Sequence, residues 1–137
     1  MNGLTLKTKR NKMPIKVEKP TTIKSAGNKP KEIKEYIGRI NSNTDEVSVA
    51  QMKSPAGWIE PGQTPEFNEY TIVLKGMLRV TTKDETIDIN EGEAVITRSG
   101  EWVQYSTPNL GGAEYIAVCC PGFSSETVHR DNGNCTV

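Results

Sequence analysis

A single histidine, His129, stands among the 137 residues. Its imidazole titrates near neutral pH, which suits a proton shuttle, whereas a tie between strands asks only for its ring nitrogens as hydrogen-bonding groups. With one imidazole in the chain, most Ser-His-Asp and Cys-His nucleophile arrangements are excluded. Cys119, Cys120 and Cys135 form no C-x-x-C pair and have no histidine neighbour in sequence. They read as reduced thiols, as expected of a cytoplasmic protein, and not as a disulfide framework or a zinc knuckle. Gly-rich phosphate loops and H-E-x-x-H are absent. Trp58 and Trp102 can wall a planar or sugar-like ligand at a pocket mouth, or serve as large core or interface residues. Arg98, beside Gly100, suits an anionic ligand group or a solvated loop. Glu60 and Glu66 read as solvated loop charges.

These side chains must be positioned by short strands. From about Glu35 onward the apolar pattern has a period of two and is broken by turn residues such as Pro61-Gly62, Asn90 to Gly92 and Pro108 to Gly112. Eight strands are expected: 35–40, 46–53, 69–75, 77–82, 85–89, 93–97, 102–106 and 113–119. Ser124 to Arg130 is expected to form one short helix. This spacing predicts an all-β fold, a small antiparallel barrel or double-sheet jelly roll. A two-residue turn at Lys75-Gly76 would pair Val73 with Leu78, Thr71 with Val80, and Glu69 with Thr82 on one face. Tyr70, Ile72, Leu74 and Met77 would share the other face with Arg79. Apolar groups on both faces call for a second cover, and a homodimer supplies it.

Length and a hydrophobic share of 34% predict one core and one domain. No apolar run is long enough to cross a bilayer. The net charge of zero conceals a split: residues 1–34 carry ten Lys or Arg against two acids, a net of +8, and the remainder carries −8. That division predicts a basic, partly flexible N-terminal arm over 1–34, a barrel over 35–123 and a tail over 124–137. The arm has no aromatic residue to stack on a base and no arginine beyond Arg10, so no nucleic-acid partner is expected. A polar leader followed by a basic segment against an acidic barrel, its own or a partner's, accounts for the charge.

Gly57 to Gly76 resembles the first motif of the cupin family, G-x5-H-x-H-x3-E-x6-G, without a gap. Gly57, Glu69 and Gly76 hold their positions, while Gln63 and Pro65 stand at the two histidine positions. Gly92 to Thr107 resembles the second motif, G-x5-P-x-G-x2-H-x3-N, with Gly92 and Gly100 in place and Arg98, Val103 and Thr107 at the proline, histidine and asparagine positions. The resemblance implies a jelly-roll β-barrel. Cupins of the usual kind hold a metal with three imidazoles and one carboxylate, of which Glu69 alone is retained. Proline and valine donate nothing and an amide oxygen is a weak ligand, so no metal and no cofactor is expected.

The cupin register turns Gln63, Glu69 and Val103 inward, together with Thr71, Val73 and Tyr105 by alternation. A carboxylate walled by Val73, Val80 and Leu78 has its charged form disfavoured, which raises its pKa toward use as a general acid or base; a purely structural network leaves the same signature. The resemblance to metal-independent cupins, such as sugar-nucleotide epimerases and nucleoside dehydratases, implies isomerase or lyase chemistry on a small molecule. Glu69, Tyr105 and His129 are the candidate catalytic groups, with Gln63, Trp58, Trp102 and Arg98 as substrate contacts. A non-catalytic binding or sensing module uses the same residues, and a metalloenzyme with atypical ligands is a third reading.

Overall fold

The computed structural model describes residues 13–131. The first twelve residues of the arm and the last six of the tail, including Cys135, lie outside that range. The described residues contain nine strands and no helix: β1 Thr21–Thr22, β2 Glu32–Ile37, β3 Ser48–Ser54, β4 Trp58–Ile59, β5 Asn68–Thr82, β6 Thr86–Asn90, β7 Ala94–Thr97, β8 Val103–Thr107 and β9 Ala113–Cys120. All pairings are antiparallel. No helix among the described residues is long and apolar enough to cross a membrane.

β5 organises the molecule. Its first half lies between β9 and β7, in a sheet that continues through β3 and β2 to β1. Its second half lies between β6 and β8, and β8 carries β4 at its edge. The curled sheets enclose a core of Trp58, Val73, Leu78, Val80, Val103 and their neighbours, and a smaller cluster of Phe67, Cys119 and Val128 packs with Phe123 beneath the tail.

The hairpin expected at Lys75-Gly76 does not exist, because β5 runs through that point without turning back. A bulge between Val73 and Lys75 shifts the register, so that inward residues change from odd (Thr71, Val73) to even (Leu78, Val80). A two-residue turn would produce the same parity change, so Thr71, Val73, Leu78 and Val80 share the inward face with a bulge in place of the expected turn. Gly76, at φ +77°, is required at the bend: a Cβ there would lie 2.1 Å from the Gly112 carbonyl oxygen. Met77, expected on the outer face, is buried where β5 passes between sheets.

The ends of the chain differ from expectation as well. Residues 21–34 supply β1 and the start of β2, and Glu35, buried on β2, accepts hydrogen bonds from the backbone N–H groups of Ile40 and Asn41. Ser124 to Arg130 forms no helix; a single turn closes with Thr127 N–H donating to the Ser124 carbonyl. The tail then runs beside residues 62–66, with Thr64 N–H donating to the His129 carbonyl and Asp131 N–H to that of Gly62.

Candidate functional site

Between the main core and the tail cluster lies a cavity of about 80 Å³. Strand alternation explains its walls. Glu69 and Thr71 enter from β5, Tyr105 from β8, and Tyr115, Ala117 and Cys119 from β9, each two residues from the next inward side chain of its strand. The arm adds Lys31, the segment after β4 adds Glu60 and Gln63, and the tail adds Arg130.

Glu69 is the chemical centre. Burial, and next the negative charge of Glu60, raise its pKa to about 7, against the opposing pull of Lys31, a hydrogen bond from Tyr105, and Arg130. Glu69 as a whole residue is partly buried and lines the cavity. The Tyr105 hydroxyl donates to Glu69 Oε1 at 3.5 Å and is 2.9 Å from Thr97 Oγ1. Burial and the nearby Glu69 charge push the Tyr105 phenol well above its ordinary value, so it stays protonated as a donor. Glu60 is also raised by burial, offset in part by Lys31 and Arg130.

Polar groups remain open around this pair of acids. Gln63 is 4% exposed, yet its Oε1 has no partner, and Arg130 Nε is likewise buried without one. The two residues are bridged antiparallel through their backbones. Lys31 Nζ donates to the Tyr115 hydroxyl at 3.1 Å, and that hydroxyl lies 2.8 Å from Ser54 Oγ.

Gln63, Glu69 and Tyr105 therefore meet at one cavity. Trp58 does not wall its mouth: it is fully buried in the core, with Nε1 donating to the Ala26 carbonyl. Trp102 lies over Gly62, where a Cβ would fall 2.3 Å from the indole, and donates to Asp131. Arg98 is exposed, with Nη1 donating to the Tyr70 hydroxyl on the outer face of β5. His129 is half exposed and pairs with Glu66 outside the cavity. Alternation from the buried Val128 turns Arg130 inward and His129 outward, a signal that sequence reading passed over in favour of the lone imidazole. The same rule, counted from Trp58, places Glu60 inside at 8% exposure and corrects its reading as a solvated charge. Lys31 had no such signal, being one of ten basic residues in the arm.

A metal of the kind held by three imidazoles and a carboxylate does not fit here. Glu69 and Gln63 are the donors at the motif positions, Val103 is packed in the core, and no three His, Cys, Asp or Glu side chains converge among the described residues. Cys119 lines the cavity as a thiol whose pKa burial pushes far up, which makes it a poor nucleophile.

No family model matches the chain. It is similar to a predicted oxalate decarboxylase of Thermotoga maritima, at 19% identity over 80% of this chain and 99% of that one, with a TM-score of 0.64. The oxalate decarboxylase of Bacillus subtilis is 20% identical over 85% of this chain and 31% of that one, with a TM-score of 0.67. The EutQ protein of Clostridium difficile is 19% identical over 68% of this chain and 64% of that one, with a TM-score of 0.54. At these identities the likeness establishes the architecture, and the chain has the cupin fold. A curated protein of Myxococcus xanthus named endoribonuclease YbeY is 39% identical over 101 residues, and the chain spans 34% of its length.

Proposed function

We propose that the barrel holds a small polar organic molecule in this cavity and that Glu69 exchanges a proton with it, in isomerase or lyase chemistry that needs no metal. The observation that carries this reading is a carboxyl with a pKa of about 7 facing an enclosed space. A general acid or base works best when its pKa lies near the ambient pH. Tyr105 and Gln63 orient the ligand. A cavity of 80 Å³ accommodates roughly five to eight waters, at about 10–15 Å³ each, so the ligand has about as many non-hydrogen atoms. A nucleotide exceeds that size, and the RNA cleavage named for the Myxococcus relative would require a different site.

Holding a ligand without turnover is the second reading, favoured by the open Gln63 Oε1 and Arg130 Nε, which a ligand satisfies whether or not a proton moves. In either reading the protein works in the cytoplasm, where Cys119 and Cys120 stay reduced. A second copy would cover the outer face of β5.

A thermal-shift screen of small polar metabolites tests both readings, because a ligand specific to the folded state raises the melting midpoint by mass action. With a ligand found, Glu69→Gln separates them: turnover lost with binding kept supports the enzyme, and binding without turnover in the unaltered protein supports the holding module. If no metabolite of fitting size raises the midpoint, both readings fail.

A further inference from the structure

Three cationic side chains, Lys24, Lys31 and Arg130, line the cavity, and none is paired with a carboxylate among the described residues. Ion pairs among the described residues are Lys34 with Glu32, Arg79 with Asp88, and His129 with Glu66, all outside it. Lys31 instead rests its ammonium on the Trp58 ring and donates to the Tyr115 hydroxyl and, at 3.4 Å, the Met52 sulfur. Arg130 lies with Cζ 5.8 Å from the Phe123 ring centre, and its buried Nε–H has no acceptor among the described residues. A guanidinium N–H withdrawn from water and left open is expensive, so a ligand that brings an acceptor to it is favoured.

The opposing groups narrow the choice. Burial biases Glu60 and Glu69 toward their neutral acids, and Glu35, the third acid of the lining, is engaged by the backbone N–H groups of Ile40 and Asn41, so the cations dominate the charge open to a ligand. An anionic ligand is favoured there and a cationic one is not. Oε1 of the Gln63 amide has no partner among the described residues, and the residue is bridged to Arg130. A ligand hydroxyl, which both donates and accepts, can meet either end of that amide.

We propose that the ligand is a small hydroxy acid whose carboxylate is received by Arg130 and Lys31 and whose hydroxyl meets the Gln63 amide. The inference rests on the reading above that the cavity is the ligand site, and it adds a chemical class and two residues that bind it. The short hydrocarbon part lies against Leu78 and Ala117, which line the same space. A plain diacid such as oxalate fits less well, since it offers no hydroxyl to the Gln63 amide.

Calorimetric titration of the full chain with lactate, lactamide, propionate and oxalate tests the inference. These probes separate charge from shape and hydroxyl from carboxylate without altering the protein. Lactate is expected to bind at least about tenfold more tightly than its neutral isostere lactamide, and more tightly than propionate or oxalate. Arg130→Gln should abolish the preference for lactate over lactamide, and Gln63→Leu should reduce lactate to the level of propionate. Lactamide binding as tightly as lactate, or an unchanged preference in a folded Arg130→Gln protein, would overturn the acid while leaving the cavity a ligand site. Propionate matching lactate would overturn the hydroxyl. Absence of heat and of any midpoint shift with all four probes would sink this inference, while the reading beneath it stands or falls on the wider metabolite screen.

Discussion

Lys31 holds its ammonium 4.0 Å from the centre of the Trp58 indole, with the fully buried ring beneath it and the cavity beside it. The pair pins the basic arm to the main core. Lys31→Met keeps most of the aliphatic stem and loses the cation–π attraction, at a cost of about 0.5–1 kcal/mol; Lys31→Ala loses packing as well and costs more. Urea denaturation of the two variants measures the order. Equal stability of all three proteins would show that the arm is docked by other contacts.

Glu69 makes stability depend on pH in a defined direction. Its pKa is about 7 in the folded chain against an ordinary 4.5, so between those values the folded state binds more protons than the unfolded one. Stability is therefore greatest near and below pH 4.5 as far as this group is concerned, declines as pH rises toward 7, and levels off above. Glu60, raised by the same cause, acts in the same sense. The loss is on the order of 1–3 kcal/mol, and Glu69→Gln should flatten much of the slope. Denaturation midpoints at pH 5, 6, 7 and 8 give the comparison, and an unchanged slope in the variant would exclude Glu69 as its source.

Gly76→Ala should destabilise the fold by about 1–3 kcal/mol through the left-handed backbone alone, and further through the clash with the Gly112 carbonyl. Thermal melting reads the loss. A variant as stable as the parent would mean that the bend can relax.

The outer face of β5 and β7 presents Ile72 at 49%, Leu74 at 41% and Ile96 at 56% exposure, with Tyr70 paired to Ile96 across the strands. If a second copy covers this patch, light scattering will give twice the chain mass, and Ile72→Glu with Ile96→Glu will give the mass of one chain. A single-chain mass for the unaltered protein would dismiss the dimer.

Much of the inner surface was legible from alternation, because Glu69, Thr71 and Val73 obey a period that burial imposes on any half-buried strand. Lys75-Gly76 was ambiguous for a physical reason. A glycine at positive φ serves a tight turn and a bent, bulged strand equally, and both exchange odd for even positions. What lay beyond reach was set by tertiary path. Lys31 meets Tyr115 across 84 residues of chain, and Arg130 bridges to Gln63, so no local pattern announces either contact. His129 drew notice for its chemistry alone, and its place on the tail turned it toward solvent.

Residues 31, 69 and 130 line one cavity only when the segment before β2 and the segment after β9 have both come to rest on β5 and its partners. During synthesis, a nascent chain that has not yet reached Arg130 would have the acid and the phenol but lack one of the positive side chains that line the cavity. If the cavity holds a ligand as proposed, proteolysis of the tail before Arg130 would weaken its retention without cutting any of the nine strands.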